Sequence, residues 1–380
     1  MKYRHFNGKD ISQLGFGAMR LPTLENGEIN KEESFRLFKY AFDEGVNYYD
    51  TAYVYHGGKS EVVLGEWVKN EGIRDKVYIA DKLPTLQLND DFDANAIFAE
   101  QLERLDTDYI DFYLMHALSL DKWNKLKELG IIKFMDEIRA KGKVKYIGFS
   151  FHDDYDAFVK IIDDYDWQFC QIQLNFMDIE IQAGIKGLEY AASKGIPVTI
   201  MEPLKGGKIT QIKDPYTTKL KNAYKLQDVP TATICLNFLF DRPEVLTVLS
   251  GMNVYDHVVE NIKAASNCQP GAQSEAEKRF LTDLRDYING KATIPCTACR
   301  YCVDGCPNSI NIPRIFDMYN DAVMYDTFER NKAGYDRMPS TGKDCAECGQ
   351  CEDACPQHLT IMDYLKKVDE YFSANSPVAD

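Results

Sequence analysis

The sequence contains no long hydrophobic run. Its longest apolar stretches, such as Ile110 to Met115, are strand-sized, whereas a helix that crosses a bilayer needs ~20 apolar residues. The N-terminus, Met1-Lys2-Tyr3-Arg4-His5-Phe6, has neither an apolar h-region nor a cleavage site, so a cytoplasmic location is expected by default. Positive charge is in short supply. There are 44 Lys and Arg against 59 Asp and Glu, a net charge of −15. Nucleic acid and anionic membranes both repel such a chain, and neither is expected as a partner. No Gly-x-Gly-x-x-Gly follows the first strand, which weighs against an open dinucleotide-binding sheet. Low-complexity segments are absent too.

What is present reads as two domains, since 380 residues is long for one compact core. Residues 2–13 read as a hairpin with Asn7-Gly8 at its turn. Short apolar runs then recur at Gln13–Phe16, Tyr48–Asp50, Val77–Lys82, Ile110–His116, Val144–Ser150, Phe169–Leu174, Pro197–Met201 and Val245–Ser250. Helical patterns lie between them. Asn30 can cap a helix over Lys31–Phe42, with Glu33 at capping-box spacing and Gly45 as the stop. Ser60 and Asp93 open two more helices, and Gly184–Lys194 ends at Gly195. Eight strands alternating with helices predict an α/β fold, a (β/α)8 TIM barrel with an N-terminal hairpin, over residues 1–270. A connecting helix follows over 271–290. A small, mainly helical cysteine-rich domain spans 291–367, and a C-terminal tail spans 368–380, frayed over its last residues, Ser373–Asp380.

Eight of the 11 cysteines lie between Cys296 and Cys355. Without an export signal, and with an odd count, ligation is the better reading than disulfides. The first copy of a repeat is Cys296-Thr-Ala-Cys299-Arg-Tyr-Cys302-Val-Asp-Gly-Cys306-Pro307, and the second is Cys345-Ala-Glu-Cys348-Gly-Gln-Cys351-Glu-Asp-Ala-Cys355-Pro356. Both fit C-x2-C-x2-C-x3-C-P, in which three thiolates wrap one cubane and the fourth reaches the other cluster. Two 4Fe–4S clusters are therefore expected. Cys296, Cys299, Cys302 and Cys355 would hold one, and Cys345, Cys348, Cys351 and Cys306 the other. Zinc is the rival, because structural zinc sites use paired C-x2-C units. Two complete copies, each closed by proline, favour clusters. The long spacer, with a helical pattern at Ile312–Phe328, resembles the helical type of two-cluster ferredoxin domain found in respiratory and heterodisulfide-type reductases. The resemblance spans roughly 290–365. Cys170 and Cys235 sit in apolar patterns and read as buried, inert thiols.

In a (β/α)8 barrel the chemistry sits at the C-terminal ends of the strands. Those ends carry Asp50 then Tyr53 and Tyr55, Asp81-Lys82, Met115-His116, Ser150, Gln171, and Met201-Glu202-Pro203-Leu204-Lys205-Gly206. Singly each is weak, since a strand-end aspartate is usually a cap and a lone histidine usually packs. Together Asp50, Tyr55, Lys82 and His116 put a carboxylate, a phenol, an amine and an imidazole on consecutive strand ends. A lysine cation lowers the pKa of a nearby tyrosine, which can then donate a proton. Tyr53 is the rival phenol, because alternation along an extended segment would point it the same way as Tyr55.

These residues resemble the aldo-keto reductases. The carriers are Tyr49-Asp50-Thr51-Ala52-Tyr53-Val54-Tyr55 with Ser60-Glu61, then Lys82, Tyr113-Leu114-Met115-His116, Gly148-Phe149-Ser150, Gln171, Pro203-Leu204 and Glu260-Asn261. The resemblance covers about residues 3–265. With the cysteine repeat included, the chain resembles the subgroup carrying a fused two-cluster ferredoxin domain. It implies that Tyr55 is the general acid, Lys82 and Asp50 its tuning pair, and His116 the orienter of a carbonyl. It also implies NAD(P)(H) across the strand ends, held by Ser150, Gln171, Met201, Pro203, Leu204, Gly206, Gly251, Asn253, Glu260 and Asn261. The chain has Ser150-Phe151 where many members have Ser-Asn, and Met201 where an aromatic commonly stacks on the nicotinamide. The stretch Gly251-Met252-Asn253-Val254-Tyr255-Asp256-His257 has no Lys or Arg for a 2′-phosphate, so no NADP preference is expected.

The leading expectation is NAD(P)-dependent reduction of a small aldehyde or ketone, or oxidation of the alcohol, coupled to or regulated by the clusters. The alternative is an electron carrier or redox sensor that uses the barrel as a nucleotide- or partner-binding platform. A one-electron donor or acceptor protein fits either. Joining hydride to one-electron chemistry calls for a converter such as a flavin, and no motif supports one.

Overall fold

A computed structural model describes every residue of the chain except 86, 87, 90, 211, 213, 214, 292, 293, 297–299, 356 and 375–380, and describes Asp304 by its backbone alone. Two compact units are present. One comprises residues 1–206 and 228–278, the other residues 207–227 and 279–380.

In the first unit, β1 (Tyr3–Phe6) and β2 (Lys9–Ser12) form the antiparallel hairpin. Asn7 and Gly8 both take positive φ, 46° and 75°, as a two-residue turn that follows the twist of the strands requires. Eight parallel strands then close in chain order: β3 (Leu14–Gly17), β4 (Tyr48–Asp50), β5 (Tyr78–Leu83), β6 (Ile110–Leu118), β7 (Val144–Phe151), β8 (Phe169–Gln173), β9 (Val198–Met201) and β10 (Val245–Ser250). The barrel shuts where Val248 of β10 pairs with Leu14 of β3. Each strand lies within two residues of its expected span. Phe6 and Ile11 of the hairpin pack on Tyr48, Phe112 and Phe169 inside the barrel, which leaves the C-terminal strand ends for chemistry.

Local sequence accounts for the helix starts. Asn30 Oδ1 accepts from the Glu33 N–H at 3.1 Å, and the helix runs Lys31–Asp43. Only half of the expected capping box forms. The Asn30 N–H is already bound to the Pro22 carbonyl, and the Glu33 carboxylate turns to Arg36 at 2.7 Å. Asp93 caps Ala94–Arg104 by accepting from the Ala96 N–H.

The second unit has its own core. Ile315, Phe316, Tyr319, Leu365, Val368 and Phe372 pack around Cys302, Cys351 and Cys355. The single helical pattern expected over Ile312–Phe328 is two helices, Ile312–Tyr325 and Phe328–Tyr335. Asp326, at φ 53°, ends the first in a left-handed cap. No described helix is long and apolar enough to cross a membrane.

Candidate active site

Asp50 is the last residue of β4, and Lys82 lies near the end of the adjacent strand β5. Lys82 is fully buried, and its ammonium donates to Asp50 Oδ1 and to the Thr51 carbonyl, both at 2.6 Å. Gln171, from β8, donates to the other Asp50 oxygen at 3.2 Å. Burial alone would push the Lys82 pKa down, because a bare ammonium is poorly solvated there. The Asp50 carboxylate reverses this, and the net direction is up.

Tyr55 opens a 3-10 turn, Tyr55–Gly58, and its ring centre is 4.9 Å from Lys82 Nζ. The His116 ring meets it edge-on, 5.8 Å between centroids and 82° between planes. The expectation that Lys82 lowers the Tyr55 pKa needs correction. Burial raises that pKa, the Lys82 ammonium opposes it, and burial wins. The phenol is therefore fully protonated at neutral pH, the form a proton donor needs. His116 is pushed down to about 3, first by burial and then by Lys82. It is a neutral imidazole, and its buried Nδ1 makes no hydrogen bond.

Tyr53 does not share this environment. Its hydroxyl donates to Glu100 at 2.8 Å, and its ring lies 4.3 Å from the Arg104 guanidinium carbon. The alternation argument fails here because the segment is not extended. Tyr55 already begins the turn, and His56 follows at φ 51°.

Behind Lys82 stands a buried polar network that the sequence reading missed. Asp81 accepts from the Lys82 N–H at 2.8 Å. Gln101 Nε2 donates to Asp81 at 2.8 Å, to the Lys82 carbonyl at 3.0 Å and to Glu61 at 3.2 Å. Arg104 donates to Glu61 at 2.7 Å, and the Tyr113 hydroxyl donates to Gln101 Oε1 at 2.6 Å. Burial and the neighbouring Glu61 drive the Asp81 pKa well up. Gly65 makes the close approach possible: a Cβ there would stand 2.5 Å from the Leu105 carbonyl oxygen. The adjacent motifs Ser60-Glu61 and Asp81-Lys82 were the only local signal. Gln101, on a separate helix, had none.

Most of the residues expected to hold a nucleotide lie at the same strand ends, and Glu260 and Asn261 lie on the helix Tyr255–Asn267 that follows β10. Ser150 is buried on β7, and its Oγ accepts from the Ala117 N–H at 2.7 Å, next to His116. Met201 ends β9 half-buried, and Pro203, Leu204 and Gly206 (φ 65°) follow in the turn. Gly251 follows β10. Asn261 is buried and donates to Ser250 Oγ at 2.9 Å, whereas Asn253 is exposed and Glu260 half-buried. Arg20 was not anticipated. It pairs with Glu202 at 2.5 Å, and its side chain is what a Cβ at Gly251 would meet, at 3.5 Å. Polar groups on β7 and β8, a glycine turn after β9 and a glycine after β10 fit a dinucleotide laid across these ends.

In the second unit Cys296, Cys302 and Cys355 line one hollow, closed by Ile312, Pro313 and Phe316. Cys355 of the second repeat copy thus stands with two thiols of the first. Cys299 and Pro356 lie outside the described residues. Cys306, Cys345 and Cys351 belong to the same core, and Cys348 is exposed. Burial and the adjacent Cys345 push the free Cys351 thiol up to about 11. Among the described residues, no three His, Cys, Asp or Glu side chains converge as they would on a single metal ion. Cys170 and Cys235 are fully buried, and burial raises the Cys170 pKa.

Comparison with known proteins agrees with this geometry. The Aldo/keto reductase family model matches residues 13–273, and the 4Fe-4S dicluster domain model matches residues 295–360. L-galactose dehydrogenase of Arabidopsis thaliana is 25% identical over 284 residues, 69% of this chain and 86% of that protein. An aldo-keto reductase of Bacillus halodurans, solved in its holo form, superposes with a TM-score of 0.61 at 21% identity, over 74% of this chain and 96% of that one. One from Klebsiella pneumoniae, solved in complex with NADPH, gives 0.60 at 21% identity, over 75% of this chain and 95% of that one. At these identities the solved structures show the shared barrel fold alone. The family match spans well over half of the chain, so this protein belongs to the aldo/keto reductase family of oxidoreductases and carries a C-terminal 4Fe–4S dicluster, ferredoxin-like domain.

Proposed function

We propose that the barrel interconverts a small aldehyde or ketone and its alcohol with a nicotinamide dinucleotide, and that the C-terminal unit holds two 4Fe–4S clusters serving a one-electron partner protein. The observation that carries the first half is the buried Lys82–Asp50 pair beside the Tyr55 ring, with a neutral His116 edge-on to it. When bound, the nicotinamide supplies or accepts hydride and the clusters pass single electrons. The chain's own residues do the rest. Tyr55 gives its phenolic proton to the carbonyl oxygen as negative charge builds there. Lys82 stabilises the phenolate that remains, and Asp50 keeps Lys82 charged and in place. His116, uncharged, orients the carbonyl by hydrogen bonding. Ser150 and Gln171 would hold the carboxamide and Met201 the ring face. Pro203, Leu204 and Gly206 would contact the middle of the dinucleotide, and Gly251, Asn253, Glu260 and Asn261 its far end. The test is turnover of a carbonyl panel with NADH and with NADPH; no turnover of any carbonyl with either would remove the proposal.

Cofactor choice follows from charge. Residues 251–257 offer no cation to a 2′-phosphate, which binds through charge-assisted donors, and Arg20 beside Gly251 is already paired with Glu202. Titration with the two cofactors should show similar affinities. A preference for NADPH above about a hundredfold, roughly 2.7 kcal/mol, contradicts this assignment.

The crossed ligand set has its own test. Anaerobically prepared protein should carry about eight iron and eight sulfide per chain. Cys355→Ser removes a thiol from the hollow lined by Cys296 and Cys302, so the spectrum of that cluster should change while the other persists. Loss confined to the cluster held by Cys345, Cys348 and Cys351 would show a local pairing instead.

His116 sets a pH expectation. Its folded pKa, about 3, lies below the 6.5 of a free imidazole. Its contribution to stability is therefore complete above pH 6.5 and declines as pH falls toward 3. Denaturant titrations from pH 7 to pH 4 should show a smaller acid loss in His116→Gln than in the parent. Equal slopes would mean His116 protonates freely.

A further inference from the structure

Strand β6 does not stop at His116. It runs on to Leu118, and its pairing with β7 shifts register between Met115 and Leu118. Ala117, inside that irregularity, takes a left-handed φ of 52°, a conformation that a residue with a Cβ keeps only where its surroundings hold it. Both of its peptide groups are held. Its N–H donates to Ser150 Oγ at 2.7 Å, and its carbonyl accepts from Lys122 Nζ at 2.8 Å. The His116 carbonyl, one peptide earlier, accepts from the Thr85 hydroxyl.

Lys122 is the informative member. It lies half-buried in the first turn of the helix Leu120–Glu128, and burial pushes its pKa down. Among the described residues, no carboxylate pairs with it. Asp121 is exposed, and Asp153 is spent on the N–H groups of Leu120 and Asp154. The other ammonium at this site, Lys82, is answered by Asp50. Burial comes first among the causes that hold His116 uncharged, and the groups that add to it, Lys82, His152 and Lys122, are all basic. His152, directly after β7, lies close enough to feel both Lys122 and Glu202, and Glu202 is already paired with Arg20. A partly desolvated cation without a counter-charge costs free energy. In a chain with 59 Asp and Glu, a cation left unanswered beside the reacting groups leaves that charge for a ligand.

We infer that Lys122 is the anion-recognising residue of the barrel site, and that the substrates are small aldehydes or ketones carrying a carboxylate within a few bonds of the carbonyl. This rests on the proposed carbonyl chemistry of Tyr55 and His116. The ammonium has N–H donors beyond the one given to Ala117. A substrate carboxylate takes them in a charge-assisted contact and supplies the missing counter-charge, while the carbonyl end stays at Tyr55 and His116.

The test compares matched substrates on the anaerobic, cluster-loaded full chain: succinic semialdehyde against butanal, and pyruvate against butanone, each with NADH and with NADPH. In at least one pair the parent should favour the acid in kcat/KM by about tenfold or more, the effect of one charge-assisted contact. Lys122→Gln keeps a donor for the Ala117 carbonyl and removes the charge, and it should cut that preference by about tenfold. Lys122→Arg should keep most of it. Taking the ratio cancels any loss that both substrates share through a displaced His116. If Lys122→Gln fails to fold, inhibition of the parent decides: propionate should compete with the carbonyl substrate more strongly than propionamide, and equal inhibition overturns the inference. A parent that turns over acid and neutral substrates alike in both pairs overturns it too, as does a preference that survives Lys122→Gln intact. Turnover of no carbonyl at all overturns the functional reading itself, so the two failures are distinct.

Discussion

Tyr55→Phe is expected to lose about 10²–10⁴-fold in kcat while dinucleotide affinity stays nearly unchanged. The hydroxyl is one atom, and the ring that packs 5.8 Å from His116 and 4.9 Å from Lys82 Nζ remains. In the proposed reaction, what disappears is the proton that would neutralise the carbonyl oxygen as hydride arrives at carbon. Burial keeps that proton on the phenol until it is needed. The nearby ammonium would lower the energy of the phenolate once the proton has left, so on the proposed mechanism Lys82 acts on the transition state more than on the resting enzyme. Tyr53→Phe is the control. Tyr53 spends its hydroxyl on Glu100, and its loss should change turnover by less than about tenfold, the span of an ordinary hydrogen bond worth about 0.5–1.5 kcal/mol. Steady-state kinetics on any accepted carbonyl decides the matter. Full turnover in Tyr55→Phe would end the tetrad assignment, and the barrel would then be better regarded as a binding platform.

Lys82→Met should cost both stability and activity, and the two can be separated. The ammonium is fully buried and shared between Asp50 and the Thr51 carbonyl. Removing it leaves a buried carboxylate with Gln171 as its remaining partner. Breaking one side of a buried pair typically costs about 3–5 kcal/mol. Thermal or denaturant unfolding should register a loss of that order in the barrel transition. The double variant, Asp50→Asn with Lys82→Met, removes the orphaned charge as well and should regain much of the stability. It should not regain activity, because nothing is left to stabilise the phenolate of Tyr55. A double variant that recovers turnover would mean the pair serves packing alone.

Much of this molecule is encoded locally. Asn7-Gly8 makes the hairpin because both residues tolerate positive φ. Eight apolar runs at β/α spacing become eight strands. The cysteine spacing announces the cluster domain, since ligands two and three residues apart need no tertiary information to be recognised. That Asp50, Lys82 and His116 share one end of the barrel was legible because strand ends are predictable.

Other features depend on which elements meet. Asp326 splits one helical pattern in two, a choice of the packed unit that periodicity does not reveal. Gln101 meets Asp81 and Glu61 because Gly65 lets two helices approach. Arg20 reaches Glu202 across 182 positions of sequence.

The sequence by itself determined the barrel, the hairpin, the family and the thiol repeat, all of which rest on turn chemistry, periodicity and spacing within a few residues. Residue alternation left Tyr53 and Tyr55 open and the family resemblance pointed to Tyr55; only the tertiary structure gave the physical reason Tyr55 and not Tyr53 faces Lys82, a turn that begins where alternation was assumed. It also decided that burial outweighs Lys82 in the pKa of that phenol, and that residues 207–227 join the cysteine-rich unit. Desolvation and long-range ion pairs are properties of the assembled surroundings, and no stretch of chain carries its surroundings with it.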